Sequence, residues 1–162
     1  MYLTKKTYVK RWEHQSPEHT FSVDVKKGGV PVTHIKPERV MYVEEEVMYW
    51  RKANQIHNWF VNNVQDGKDD CGSYYVSFEQ IKELYYLVQR VRESQDPALA
   101  KKLLPPVEGF FFGSVEIDDW YWEDLKRTEE GLLEIIELGN LDPVQNSDYP
   151  YTMQNFGYQS SW

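Results

Sequence analysis

With 162 residues and a net charge of -8, the chain has room for one domain with a proper core and is short for two. Its single cysteine, Cys71, rules out an internal disulfide and the thiolate-rich kinds of zinc site, and fits a reducing compartment. No run of about 18 apolar residues occurs, and Met1-Tyr2-Leu3-Thr4-Lys5-Lys6 lacks the apolar stretch of a secretory leader, so a cytoplasmic protein without a membrane span is expected.

The first 46 residues read as short strands separated by turns. Leu3 to Trp12 alternates at Tyr8, Lys10 and Trp12, and Phe21 to Val25 alternates cleanly. Lys27-Gly28-Gly29 reads as a turn, and Val30 to Ile35 alternates again around Pro31. Val40 to Val43 completes an expected meander of three or four antiparallel strands. From about Val47 to Val64 the period becomes helical, with Ala53, Ile56, Phe60 and Val64 forming the inward stripe and Gly67 ending the segment. Residues 65–72 read as a loop. Ser77 followed by Gln80 is a capping box, opening a helix whose apolar stripe is Ile81, Leu84, Val88 and Val91. Asp96-Pro97 starts a short third helix, Ala98 to Leu104, which Pro105-Pro106 stops.

Glu108 to Ser114 is an apolar, turn-bounded run. A long helix should follow, capped by Asp118 or Asp119, with Leu125, Leu132 and Ile136 inward and Gly139 at its C-terminal cap. The expected fold class is α+β: a single domain over 1–140, β-rich over 1–46 and mainly helical over 47–140. Residues 141–162 form an aromatic tail containing Tyr149, Tyr151, Phe156, Tyr158 and Trp162, expected to dock.

Charge is unevenly spread. Residues 1–42 carry eight Lys/Arg against four Asp/Glu, whereas residues 108–148 hold twelve acids and only Lys126 and Arg127. Direct nucleic-acid binding through that acidic stretch is not expected, because such binding depends on cations that neutralise phosphates. Glu130, Glu134 and Glu137 share a face of the last helix without intervening bases, a spacing that costs a helix a few tenths of a kcal/mol per pair. With Glu123 they form either a solvated face or a surface for a partner protein with a basic patch.

A ligand site is sought on the first helix. Trp50, Asn54 and His57 stand at i, i+4 and i+7, offering a ring, an amide and an imidazole on one face. Arg51 and Lys52 oppose the helix dipole, which suggests an acidic counterpart in Asp69 or Asp70. The competing reading makes Trp50 and His57 satisfied core residues and gives Arg51 an internal ion pair. A Cys71 and His57 nucleophile pair has no motif to fix it, and the acids before Cys71 would raise its pKa. Asp69 and Asp70 with Asp118, Asp119 or Glu123 could ligate a hard cation, although acid pairs are common caps. His14, His19 and His34 carry no spacing signal. Neither a phosphate-binding loop nor a dinucleotide fingerprint, zinc-protease helix or nucleophile elbow is present. No catalytic residue, metal ligand or cofactor is therefore assigned.

Two stretches carry a resemblance. One is Tyr49-Trp50-Arg51-Lys52-Ala53-Asn54-Gln55-Ile56-His57-Asn58-Trp59-Phe60-Val61, continuing from Asn63 through Asp69-Asp70-Cys71. The other is Leu103-Leu104-Pro105 with Gly109-Phe110-Phe111-Phe112-Gly113-Ser114, Asp118, Tyr121 and Asp124. Across roughly residues 45 to 130 the chain resembles a group of short, functionally unassigned proteins encoded by bacteriophages and prophages. That resemblance implies a phage-encoded accessory protein in the host bacterial cytoplasm. Counter-defence roles, including the anti-CRISPR kind, would inhibit a host immune protein or sequester a nucleotide signal. In the nucleotide reading the ligand set is Trp50, Arg51, Asn54, His57, Asp69, Asp70 and Ser114. In the inhibitor reading the partner surface is Glu123, Glu130, Glu134 and Glu137. A metal-dependent enzyme acting on nucleotides or nucleic acid, and a structural or assembly component of the phage particle, are the alternatives; oligomeric state is left open.

Overall fold

A computed structural model describes residues 1–17, 20–108, 114–141 and 154–161. The fold is α+β. Strand β1 (Tyr2–Tyr8), the hairpin strands β2 (Lys26–Lys27) and β3 (Val30–Pro31), and β4 (Tyr42–Tyr49) come first. They are followed by α1 (Asn54–Asn63), β5 (Ser73–Val76), α2 (Phe78–Ser94), α3 (Pro97–Leu103), α4 (Asp119–Leu141) and β6 (Gln154–Gln159).

The main sheet has the order β4-β1-β6-β5 with every pair antiparallel. Part of the expected tail is therefore an interior strand, its backbone bonded to β1 on one side and β5 on the other. The alternation read at residues 21–25 yields no strand, and β2 and β3 pair only around the positive-φ glycines Gly28 and Gly29. Tyr149, Tyr151, Trp162, His19 and the run 109–113 lie outside the described residues.

One face of the sheet makes the core. Leu3, Val76, Phe156 and Tyr158 point into it and meet Ile56 and Phe60 of α1, Ile81, Leu84 and Val88 of α2, and Leu125 and Leu132 of α4. Helix α2 starts as its sequence dictates: the Gln80 amide N–H donates to Ser77 Oγ while the Gln80 side chain accepts from the Ser77 N–H. Asp96 caps α3 through the Ala98 N–H, and Asp118 caps α4 through the Tyr121 N–H. Arg92 of α2 grips Glu129 of α4 with two guanidinium nitrogens. Helix α4 continues past Gly139 to Leu141 instead of stopping there.

The first helix starts later than its periodicity predicts. Residues 47–49 belong to β4, where a bulge opposite Leu3 and Thr4 disturbs the alternation that would have marked a strand. None of the helices among the described residues is long and apolar enough to cross a membrane.

Candidate functional site

The path from β4 into α1 is short and strained. Trp50 follows the strand directly, exchanging hydrogen bonds with Met1: the Trp50 N–H donates to the Met1 carbonyl at 2.9 Å, and the Met1 amine donates to the Trp50 carbonyl at 3.1 Å. Its ring turns into the core, where Nε1 donates to Thr128 Oγ1 at 2.8 Å. Lys52 then adopts a left-handed conformation at φ 66°, which a side chain-bearing residue takes at a cost of about 1 kcal/mol or more. The turn buries Ala53 as the N-cap and leaves Arg51 and Lys52 at the surface.

Ala53 has no side chain with which to cap, and the first turn of α1 contains no acid. The Asn54 and Ile56 N–H groups are taken by the Lys52 and Ala53 carbonyls, so the helix start lacks a side-chain cap and offers mainly the positive end of its dipole. A cleft of about 350 Å³ opens beside this end, bounded by Arg51, Lys52 and Gln55 on one side and by Trp120, Asp124 and Arg127 of α4 on the other. Ser114, Glu116, Asp118 and Tyr121 complete the wall.

The cleft's charges are unequal in availability. Arg51 and Lys52 make no ion pair among the described residues. Asp118 is committed to the α4 N-terminus, its Oδ1 accepting from Tyr121 N–H at 3.0 Å. Burial pushes the Asp124 carboxyl above the usual carboxylate range, opposed by Arg127 and by the nearby Gln55 amide. Burial likewise raises the Tyr121 phenol, which donates to the Leu104 carbonyl. Gln55 is 3% exposed, yet its Nε2 makes no hydrogen bond of ordinary geometry among the described residues. Trp120 is 79% exposed, a large ring held against solvent at the cleft's edge.

Arg51 and Lys52 beside the helix start suit an anion, most naturally a phosphate, while Glu116 and Asp124 in the same wall oppose it. An exposed indole beside them suits a flat aromatic group.

The seven residues singled out from the sequence fall in separate places. Arg51 and Ser114 line the cleft, and Asn54 Nδ2 donates to the Ser114 carbonyl at 3.0 Å. Trp50 is core. His57 belongs to a buried network: its Nε2 contacts Asp69 Oδ1 at 2.9 Å and its Nδ1 contacts the Tyr158 hydroxyl at 2.6 Å. Because the carboxylate only accepts, Nε2 carries the proton and Tyr158 donates to Nδ1. Desolvation lowers the His57 pKa, with Asp69 opposing it. Asp70 sits in its own turn, Oδ1 accepting from Gly72 N–H and Oδ2 from Tyr74. Both acids suggested as partners for Arg51 are thus engaged elsewhere. Cys71 is exposed.

On α4, Glu123, Glu130, Glu134 and Glu137 are all exposed. Among the described residues, no three His, Cys, Asp or Glu side chains gather as a metal site. Trp120, Gln55 and Arg127 were absent from the sequence-derived set. An outward Trp on an amphipathic helix was the available signal for the first, and no local signal marked the burial of Gln55. Compared with protein-family models, curated proteins and solved structures, the chain matches none of them.

Proposed function

We propose that this chain is a non-catalytic, phage-encoded accessory protein that sequesters a nucleotide signal in the host bacterial cytoplasm. The observation that supports it is the cleft at the start of α1, where Arg51 and Lys52, without an ion pair among the described residues, meet a helix N-terminus with no side-chain cap and an exposed Trp120. The phosphate would meet the two cations at the positive end of the helix, and the base would stack on Trp120.

The alternative of a metal-dependent enzyme using Asp69, Asp70 and Asp118 draws less support, since the three carboxylates serve His57, the Gly72 turn and the α4 cap respectively. Thermal shifts with mononucleotides, cyclic dinucleotides, nucleosides and inorganic pyrophosphate at fixed ionic strength test the proposal. A ligand present at 100 times its Kd adds about 2.7 kcal/mol, which raises the midpoint of a domain this size by roughly 5–10 °C. A nucleotide should do so, and Arg51→Ala should weaken its binding at least tenfold. Absence of any shift from nucleotides and pyrophosphate alike overturns the reading.

A further inference from the structure

The wall of the cleft at the start of α1 carries three cations, Arg51, Lys52 and Arg127, and three acids, Glu116, Asp118 and Asp124. A ligand that is only an anion meets repulsion there as well as attraction, so complementarity calls for a second end that donates hydrogen bonds. Asp118 is committed to the α4 cap. Asp124 stands one turn beyond Trp120 on α4, half-buried, with Arg127 and the Gln55 amide favouring its ionised form.

Resting on the nucleotide reading of this cleft, we infer that the base it takes is guanine, whose N1–H and 2-amino groups donate to the Asp124 carboxylate while its O6 accepts from Gln55 Nε2. An ionised carboxylate only accepts, and guanine is the common base that offers it two adjacent donors. Adenine and cytosine each set a bare ring nitrogen beside the amino group, which would turn a lone pair toward a carboxylate oxygen. Uracil and thymine offer a single N–H between two carbonyls.

Gln55 supplies the remaining partner. It is 3% exposed and borders the cleft beside Asp124, and its Nε2 reaches no hydrogen-bond partner of ordinary geometry among the described residues. A buried amide donor left without a partner is costly, and a ligand carbonyl would satisfy it. A donor next to a carboxylate matches the order of O6, N1–H and 2-amino group along the guanine edge. Trp120, 79% exposed at the cleft's edge, gives the stacking plane for the same base, and Arg51 and Lys52 face the phosphates.

The test is calorimetric titration of the full chain at pH 7.5 with guanosine, inosine and adenosine diphosphates and with inorganic pyrophosphate. Guanosine diphosphate should bind at least tenfold more tightly than adenosine diphosphate, the discrimination a bidentate contact supplies. Inosine diphosphate, which lacks the 2-amino group, should bind at least threefold more weakly than the guanosine compound. Asp124→Asn should weaken guanosine diphosphate at least tenfold yet tighten pyrophosphate, because it removes a negative charge from the wall. Gln55→Leu should weaken the guanosine and inosine compounds by the same factor; if it does not fold, the comparison of the three diphosphates on the unsubstituted chain still decides. Equal affinity for the guanosine and adenosine compounds, indifference to the 2-amino group, or an equal loss of guanosine diphosphate and pyrophosphate in Asp124→Asn would each overturn the guanine assignment alone. Failure of all four ligands to bind would overturn the nucleotide reading and the guanine assignment with it.

Discussion

Replacing Tyr158 with Phe isolates one hydrogen bond in the core. The ring stacks on Phe60 with centroids 3.9 Å apart and planes 7° from parallel, and Phe preserves that contact. What disappears is the hydroxyl that donates to His57 Nδ1 at 2.6 Å. His57 is 1% exposed, so its acceptor nitrogen loses a partner where water has little access. A buried acceptor that loses a hydrogen bond costs about 1–3 kcal/mol. In a domain this size that lowers the melting midpoint by roughly 3–10 °C. Urea unfolding at pH 7.5 should show a lower midpoint with unchanged slope, the signature of lost stability alone. His57→Phe/Tyr158→Phe should cost less than the sum of the single variants, because the two removals share one bond. A change below about 0.5 kcal/mol for Tyr158→Phe, or additive single effects, would show that the contact contributes nothing net.

Other consequences follow from the same packing. Because burial depresses His57 below its ordinary 6.5, the folded state binds fewer protons than the unfolded one. Stability is therefore complete above that value and lost as pH falls through it toward the folded pKa. The melting midpoint should be lower at pH 5.5 than at 7.5, and His57→Gln should flatten the His57 part of that slope. Arg92→Met leaves Glu129 nearly buried without its partner and should destabilise by about 1–3 kcal/mol, discounted because Arg92 is itself partly exposed; Arg92→Met/Glu129→Leu should recover part of the loss in chemical denaturation. Ser77→Ala removes half of the α2 capping box and should cost about 1 kcal/mol, read in the same assay.

What was legible in the sequence was what local chemistry determines. Ser77 and Gln80 set the start of α2, Asp96-Pro97 set α3, and the stripes of α2 and α4 lie inward as their spacing implies, Ile136 only partly buried. What was not legible depends on partners distant along the chain. Strand β6 pairs with β1 across about the full length of the protein, so nothing near Tyr158 announces that it will lie between β1 and β5. The start of α1 was obscured because the β4 bulge breaks strict alternation just where strand gives way to helix. The run 21–25 shows the reverse error: its alternation is clean, but with no ladder partner among the described residues it forms no strand.

The candidate site shows the same division. The unfavourable placement of Arg51 and Lys52 at a helix start was visible in the sequence, and it is the feature on which the cleft is built. Trp50 lies before the helix, so helical spacing does not place it beside Asn54 and His57. With Lys52 left-handed and the helix beginning at Asn54, the i, i+4, i+7 relation of Trp50, Asn54 and His57 has no geometric meaning, and Trp50 points into the core. That spacing does hold on α4, where Trp120, Asp124 and Arg127 stand at i, i+4 and i+7 of an unbroken helix and all three border the cleft. Helical spacing identifies a shared face only within one continuous helix. If Trp120 supplies the aromatic platform, Trp120→Ala should weaken nucleotide binding at least tenfold while leaving pyrophosphate binding within about twofold, since base stacking contributes on the order of 1–3 kcal/mol. Equal losses for both ligands would assign Trp120 to the shape of the cleft instead of to the base.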